Sequence, residues 1–220
     1  GTLFEANIVG GGTDSDGANG GAIGAWSSDD DGISVEIDQC RFVENRAEGN
    51  ATWVEGGAIA IGGYNVGPTD TYQRSVLRAV NSLFVDNVAD GSLSANDARG
   101  GVISAWEHCL IDLSFSTFVG NSCDSAGVTG TGDVTDAESG EGGGVVSTSY
   151  DNNPCATTVS SSILYGNGPY ELSYNGDGGG GIETLTVTYS DIKGPGAAYT
   201  GTGNINADPL FTDASAGDYT

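Results

Sequence analysis

Apolar and polar residues alternate with a period of two in five similar segments of the chain. In the first segment Val35 and Ile37 are apolar, and Glu36 between them is polar. Because every second side chain of a β-strand points to the same face, this alternation predicts one strand in each segment. No longer window keeps a helical period, so we expect an almost all-β protein. The segments are residues 33–45, 75–87, 109–121, 155–167 and, more weakly, 183–195.

Two four-residue motifs alternate along the chain. The first, Phe-x-x-Asn, occurs four times and has a degenerate fifth copy at residues 164–167. The second, Gly-Gly followed by two apolar residues, occupies residues 20–23, 56–59, 100–103 and 143–146. Successive copies of the first motif lie 34 to 46 residues apart, which indicates a fixed scaffold that carries loops of variable length.

This repeat predicts a parallel β-solenoid. Propeller blades of similar length need four strands joined by hairpin turns, whereas each unit here offers two or three strands without hairpin signals. We predict about five rungs, ~4.8 Å apart, in one domain that spans residues 1–220. Equivalent residues would then stack in columns and form an internal amide ladder beside an aromatic stack. The ladder comprises Asn7, Asn45, Asn87, Asn121 and Asn167, and the stack comprises Phe4, Phe42, Phe84 and Phe118.

The alternation of Phe-x-x-Asn with Gly-Gly-Ala-Ile resembles the repeat of bacterial polymorphic outer membrane proteins. More broadly, it resembles the right-handed single-stranded parallel β-helix domains of bacterial surface and secreted proteins. Residues 161–167, 187–192 and 203–211 are similar to the C-terminal end of many such β-helices. The resemblance implies a right-handed β-helix with long loops and an extracellular or bacterial cell-surface setting, but no single activity. We also expect the chain to be part of a longer surface protein, since it begins without Met or an apolar leader.

The four cysteines predict a disulfide rather than a zinc site. No Cys-x-x-Cys pair is present, and one histidine cannot complete a Cys/His finger. Cys109 and Cys155 each stand nine residues before the first residue of a Phe-x-x-Asn-type motif, in consecutive rungs, at a spacing that suits a disulfide. We predict that they form a bridge, as fits an oxidising compartment. A bridge between Cys109 and Cys123 within one rung is the alternative, and Cys40 is not expected to pair with Cys123.

The chain is strongly acidic, because 30 Asp and Glu against 6 Lys and Arg give a formal charge of −24. Nucleic acids and anionic membrane surfaces are bound mainly by cationic side chains, so neither is an expected partner. No segment approaches the roughly 20 apolar residues of a membrane-spanning helix. Gly accounts for 38 of the 220 residues without a Gly-X-Y period, which excludes collagen.

The acidic segments between each asparagine and the next Gly-Gly motif are candidate partner and cation sites. They are residues 8–19, 46–55, 88–99 and 122–142, and we expect them to be loops that stack on one side of the solenoid. Hard carboxylate oxygens suit Ca²⁺, and the Asp-x-Asp-Gly sequence at residues 14–17 is similar to a calcium loop without its distal Glu. Asp and Gly also favour turns for backbone reasons, so simple turn formation is the alternative. The candidate Ca²⁺ ligands are Asp14, Asp16, Asp29, Asp30 and Asp31.

Stacking of the rungs also brings charged residues into common columns. Glu44 and Asp86 come two residues after the Phe of successive motifs, and paired carboxylates can act as acid and base. We favour the simpler interpretation that both are solvated turn residues. The column of Glu36, Arg78 and Asp112 alternates in sign, which predicts a surface ion ladder rather than a catalytic arginine.

Two tryptophans and the histidine are further candidates. Trp26 and Trp106 each stand three residues after a Gly-Gly-apolar-apolar motif. An exposed tryptophan pair on one solenoid face would form a platform for sugar rings, and burial under loops is the alternative. His108 is the only imidazole of the chain, and we interpret it as a surface or packed residue because the sequence offers no triad partner.

These observations favour a non-catalytic extracellular or cell-surface module. We expect it to be structural or adhesive and to bind glycans or other surface proteins through its acidic loops. The scarcity of Arg, Lys and His argues against an enzyme. Two alternatives stay open, namely a polysaccharide lyase or hydrolase that uses calcium, and a filament subunit that assembles with itself by end-to-end stacking.

Overall fold

The computed structural model describes residues 1–12, 17–27, 32–50, 53–63, 74–92, 98–124, 143–149, 155–174, 184–194 and 198–219. Within these ranges the chain forms 23 short strands, one 3-10 helix at Ala214–Ala216 and no α-helix. The strands in chain order are β1 (Leu3–Glu5), β2 (Ile8–Gly11), β3 (Gly17–Asn19), β4 (Ile23–Ser27), β5 (Ser34–Asp38), β6 (Arg41–Val43), β7 (Arg46–Gly49), β8 (Trp53–Glu55), β9 (Ile59–Gly63), β10 (Ser75–Val80), β11 (Leu83–Val85), β12 (Val88–Asp90), β13 (Ala98–Arg99), β14 (Ile103–Trp106), β15 (Cys109–Ser114), β16 (Thr117–Val119), β17 (Ser122–Asp124), β18 (Gly143–Ser149), β19 (Ala156–Ser160), β20 (Ile163–Tyr165), β21 (Tyr170–Tyr174), β22 (Thr184–Thr188) and β23 (Asp191–Ile192).

The strands stack in five parallel sheets, each of which gains one strand per rung. The phenylalanine sheet has the order β1-β6-β11-β16-β20-β23, the alternating sheet β5-β10-β15-β19-β22, and the glycine sheet β4-β9-β14-β18-β21. Two short sheets, β2-β7-β12-β17 and β3-β8-β13, lie between the phenylalanine and glycine sheets along the chain. This arrangement is the parallel β-solenoid that the repeat predicts.

The alternation of apolar and polar residues appears in the structure as the inner and outer faces of the alternating sheet. In β10, Leu77 and Ala79 are fully buried, and Arg78 between them is exposed. The inward residues join side chains of the phenylalanine and glycine sheets, such as Phe84 and Ile103, in one large core cluster. Burial of this cluster along the whole axis is the main apolar contribution to stability.

The acidic segments predicted to be loops are in part strands. β2, β7, β12 and β17 follow the asparagines, and β3, β8 and β13 precede the Gly-Gly motifs. Small inward side chains form a second core cluster here, in which Ala47 and Ala89 are paired in register and fully buried. The loop prediction was wrong because strands of two to four residues rich in Ala and Gly show no alternation of large apolar residues.

The asparagine ladder expected from the sequence runs through the interior. The backbone N and Nδ2 of Asn45 donate to Oδ1 of Asn87, at 3.1 and 2.9 Å. The same Nδ2 also donates to the carbonyl oxygen of Phe4 in the preceding rung, at 3.0 Å. Each side chain therefore satisfies backbone groups at a buried corner, where unpaired polar groups would be costly. The same two donations link Asn7 to Asn45, Asn87 to Asn121, and Asn121 to Asn167.

The phenylalanines form the expected aromatic stack. The ring centroids of Phe4 and Phe42 are 4.5 Å apart, and those of Phe42 and Phe84 are 4.9 Å apart. Phe84 and Phe118 follow at 4.6 Å with their planes 3° apart. Leu164 replaces the aromatic ring in the next rung and is fully buried. The spacing of the rings follows from the separation of neighbouring strands.

A second ladder, formed by serines two residues before the Phe position, was not predicted. The backbone N of Ser82 donates to Oγ of Ser116 at 3.1 Å, and the backbone N of Ser116 donates to Oγ of Ser162 at 3.2 Å. Each Oγ donates in turn to the carbonyl oxygen two residues earlier, as Ser82 does to Val80. Cys40 takes the serine position in an earlier rung, where its Sγ donates to the oxygen of Asp38. The signal was a single small polar residue per rung, which is easily taken for turn composition.

Both ladders end on side chains from outside their columns. Asn167 donates from its backbone N and from Nδ2 to the two carboxylate oxygens of Glu171, at 3.3 and 2.5 Å. Ser190 is the last serine of its ladder, since its Oγ accepts from the backbone N of Ser162 at 3.2 Å. Its own backbone N donates to Oδ1 of Asn204, at 3.1 Å. Burial raises the pKa of Glu171 to about 7, although the hydrogen bonds from Asn167 act in the opposite direction. Glu171 and Asn204 thus replace the acceptor that a further rung would supply.

No disulfide is formed by any of the four cysteines, all of which are described. Cys109 and Cys155 do lie at the predicted positions, next to the paired residues Leu110 and Ala156. The two thiols are not bonded to each other, however: Sγ of Cys109 lies 3.3 Å from the carbonyl oxygen of Trp106, and Sγ of Cys155 lies 4.0 Å from that of Ala105. The predicted bridge is therefore absent, and so is the alternative with Cys123.

Candidate functional site

All three tryptophans of the chain belong to one cluster beside the glycine sheet. Trp26 and Trp106 each pair in register with Gly62, so they occupy one column two rungs apart. A Cβ atom at Gly62 would lie 2.7 Å from Cζ3 of Trp26 and 3.1 Å from Cβ of Trp106. The Trp26 ring therefore extends over Gly62 towards Trp106, and Gly62 provides the space for it.

Trp53 extends this aromatic surface from the neighbouring short sheet. Its ring meets that of Trp106 edge to face, with centroids 6.1 Å apart and planes at 81°. All three tryptophans are half-buried, so each keeps part of its surface accessible. We call Trp26, Trp53 and Trp106 the tryptophan cluster.

A buried ion pair underlies the tryptophan cluster. Cζ of Arg99 lies 4.7 Å from the ring centroid of Trp53 and 5.0 Å from that of Trp106, so both rings make cation–π contacts with the guanidinium. Glu55 pairs in register with Arg99 on the adjacent strand, and its Oε1 lies 3.8 Å from Nη1 of Arg99. Glu55 is 2% exposed and Arg99 is 8% exposed, so the charges lie below the rings rather than in solvent.

Burial is the largest influence on the pKa of Glu55. It raises the pKa of this carboxyl to about 7, and the positive charge of Arg99 only partly opposes the shift. Among the described residues, Oε1 accepts no hydrogen bond. With the amide of Asn19 oriented to satisfy both of its groups, the amide nitrogen donates to Oε2 of Glu55 at 3.2 Å. The column Asn19–Glu55–Arg99 is thus a polar seam directly before the Gly-Gly corners.

The arrangement combines the chemical features of a sugar-binding surface. Tryptophan rings offer apolar faces to the C–H groups of a pyranose, and a carboxylate beside them can accept hydrogen bonds from hydroxyl groups. The cluster follows the solenoid axis over three successive rungs, since it contains residues of β4, β8, β13 and β14. A ligand on it would be contacted along its length rather than at one point.

Only part of this site was predicted from the sequence. It singled out Trp26 and Trp106, which the structure places in one column, but it missed Trp53, Glu55 and Arg99. A signal was available, because Glu55 and Arg99 both directly precede a Gly-Gly pair and hence share a column. Their opposite charges in successive rungs were not connected to Trp26 and Trp106, which lie across the corner in the glycine sheet.

The candidate acid–base pair has the geometry of exposed turn residues. Glu44 and Asp86 are both exposed and adopt positive φ, at 54° and 52°. Partial burial and the negative charge of Glu44 raise the pKa of Asp86. The expected surface column is also present, since Arg78 pairs in register with Glu36 and Asp112 and its Nε lies 4.0 Å from Asp112 Oδ2.

The candidate calcium ligands and His108 do not belong to the tryptophan cluster. The candidate calcium ligands Asp14, Asp16, Asp29, Asp30 and Asp31 all lie outside the described residues. Within the described ranges, no group of three or more His, Cys, Asp or Glu side chains could hold a metal ion. His108 is half-buried in the bend between β14 and β15, with φ 49°.

No family model matches this chain, and neither a curated protein nor a solved structure matches at a significant level. Among the described residues, no helix has the length and apolar character needed to cross a membrane.

Proposed function

We propose that this chain is a structural and adhesive module of an extracellular or bacterial cell-surface protein. The observation that carries the proposal is the use of buried polar side chains as links between rungs, in the asparagine and serine ladders. Such links favour a rigid scaffold that presents its lateral surfaces at a fixed spacing along one axis. An adhesive or spacer segment needs that property more than it needs a single deep cleft.

Charge and repeat pattern support the same proposal. A net charge of −24 opposes binding of polyanions and favours neutral or cationic partners. The proposed location rests on this composition and on the resemblance of the motifs to bacterial surface β-helices. The cysteines give it no support, because they form no disulfide.

A bead-adhesion experiment tests the adhesive role. Beads coated with the folded chain are flowed over a panel of bacterial and eukaryotic cell layers, and the attached beads are counted. Beads coated with the heat-unfolded chain, and with an acidic protein of another fold, serve as controls. We expect excess attachment of the folded chain to at least one cell type. Equal attachment of all three bead types across the panel would overturn the proposal.

Polysaccharide hydrolysis is the second candidate, and one observation favours it. Glu55 has a pKa of about 7 through burial, a value suited to a general acid, and it lies beside aromatic rings. Release of reducing ends from a panel of polysaccharides, with and without Ca²⁺, tests this activity in the native chain and in Glu55→Gln. Release of reducing ends by the native chain but not by Glu55→Gln would support hydrolysis at this site. If no polysaccharide of the panel yields product, hydrolysis of those polymers is excluded.

A further inference from the structure

We propose that the tryptophan cluster, together with Glu55 and Arg99, is a binding site for a neutral oligosaccharide that lies along the solenoid axis. The inference rests on the proposed adhesive function and gives it a location and a ligand class. It locates the contact face where the ends of two acidic segments, at Trp53, Glu55 and Arg99, meet Trp26 and Trp106 across the Gly-Gly corners.

The geometry of the rings argues for an extended sugar ligand. Trp26 and Trp106 come from rungs one and three of a single column, so their Cα atoms lie about 10 Å apart along the axis. The Trp26 ring bridges part of this interval over Gly62, and Trp53 adds an edge-to-face ring beside Trp106. The result is an elongated aromatic surface, which suits several pyranose rings in a row better than one compact ligand.

The ion pair below the rings supplies the polar part of the site. Oε1 of Glu55 accepts no hydrogen bond among the described residues, although Glu55 is 2% exposed. Buried acceptors of this kind are normally satisfied, so a water that bridges Oε1 to a hydroxyl group of the ligand is the expected partner. The guanidinium of Arg99 holds Trp53 and Trp106 in place through its contacts with both rings.

Charge decides between neutral and ionic ligands. Arg99 is 8% exposed and lies beside Glu55, so its guanidinium is not offered to a uronate or sulfate group. The net charge of −24 repels such polyanions as well. Organic cations are disfavoured because Arg99 already makes the cation–π contacts with two of the three rings. A neutral sugar with flat C–H faces and free hydroxyl groups is the ligand that fits.

Titration with defined hexasaccharides tests the site. The probes are β-1,4-linked hexamers of glucose, xylose and N-acetylglucosamine, with oligogalacturonate as the charged comparison. Binding to the full chain is followed by isothermal calorimetry and tryptophan fluorescence. We expect at least one neutral hexamer to bind and the galacturonate to show no binding.

Two variants locate the binding. Trp26→Ala removes the ring that lies over Gly62, and it should raise Kd about tenfold. Phe115→Ala is the matched control, because Phe115 is an aromatic residue that is 64% exposed at a different corner of the fold. It should leave Kd unchanged. Melting curves of both variants establish that each is folded before the affinities are compared.

Each outcome bears on one claim. Binding that Trp26→Ala weakens and Phe115→Ala does not supports the site. Binding that both variants retain places the sugar elsewhere and overturns the assigned site, while the adhesive function stands. No binding of any neutral hexamer, or preferential binding of oligogalacturonate, overturns the ligand class. The bead-adhesion experiment decides the adhesive function separately, because it does not depend on these probes.

Discussion

The two glycines of each Gly-Gly motif meet different requirements. Gly56 adopts φ +63°, in the left-handed region that residues with a Cβ rarely occupy. Gly57 is limited by space, because a Cβ there would lie 2.6 Å from the backbone N of Val88 and would collide with the carbonyl oxygen of Gly101. The motif is therefore explained by the close approach of backbones at one corner of the solenoid.

Replacing the second glycine should be strongly destabilising. We expect Gly57→Ala to lower the free energy of unfolding by at least about 3 kcal/mol, because backbone atoms rather than a flexible side chain must move. Gly10→Ala is the matched control, since a Cβ at Gly10 would meet nothing within 4 Å. Its effect should stay within about 0.5 kcal/mol in urea unfolding monitored by circular dichroism. Equal effects of the two substitutions would contradict the steric explanation.

Glu171 should make stability depend on pH. Its pKa is about 7 in the folded chain against 4.5 in the absence of burial, so the folded state holds the proton more tightly. The resulting stabilisation is fully present below about pH 4.5 and is lost as the pH rises through about 7. It amounts to at most about 3 kcal/mol. Glu55 shares the direction and the range.

The substitution Glu171→Gln isolates this contribution. It removes the titrating group and keeps one oxygen that can accept from Asn167. Between pH 4.5 and 8 the wild-type chain should lose stability relative to the variant, as measured by urea unfolding at several pH values. Parallel pH profiles for the two proteins would show that Glu171 titrates normally in the fold.

At the scale of whole strands and ladders, the position of an asparagine determines its importance. Asn87 is fully buried, accepts two hydrogen bonds from Asn45, and donates to Phe42 and Asn121. Asn7 is exposed at the first rung and donates to Asn45. An internal member of the ladder thus supports two neighbours, and the first member supports one.

Removing an internal ladder side chain should therefore cost more than removing the first one. We expect Asn87→Ala to lower the free energy of unfolding by about 3 to 5 kcal/mol, because two donors of Asn45 lose their acceptor in the interior. For Asn7→Ala we expect about 1 kcal/mol. Chemical unfolding of both variants under the same conditions gives the comparison. The ladder has no energetic role if the two losses are alike.

The sequence carried enough information for the columns of the solenoid but not for all of its sheets. Large apolar residues at every second position revealed the alternating sheet, and the regular recurrence of Asn87 and Phe84 with their equivalents revealed the ladder and the stack. Short strands such as β7 were not predicted. The inward apolar residue of β7 is Ala47, and so small a side chain gives little periodic signal.

Contacts across a corner were the least predictable part. Trp106 and Arg99 lie in different sheets, and they meet because the Gly-Gly turn between them changes the direction of the chain. No linear spacing expresses that angle. The predicted bridge between Cys109 and Cys155 failed for a related reason: the column was right, but the direction of each thiol depends on local contacts such as that with Trp106.

For the molecule as a whole, charge should govern the response to salt. Thirty acidic residues against six basic ones repel one another most strongly in the compact state. We expect the melting midpoint to rise as NaCl increases from about 0.01 M to about 1 M, because screening shortens the range of this repulsion. Differential scanning calorimetry at fixed pH measures the shift. A midpoint that is constant or falls with salt would contradict it.

Calcium chloride at matched ionic strength separates screening from specific binding. If Asp14, Asp16 and the acids at 29–31 coordinate Ca²⁺, the midpoint rises further than it does in NaCl, and a chelator reverses the extra rise. Identical midpoints in the two salts at equal ionic strength would remove the calcium hypothesis.

The ladders also bear on how a gene for such a protein can change. Every internal rung receives donors from the rung before it and offers the same donors to the rung after it, as Asn87 does between Asn45 and Asn121. An additional repeat copied in frame between two existing ones would find the same acceptors and the same ring faces on both sides. Unequal recombination between repeats can therefore lengthen or shorten the protein by whole units without creating a new interface, while the variable segments between motifs diverge independently.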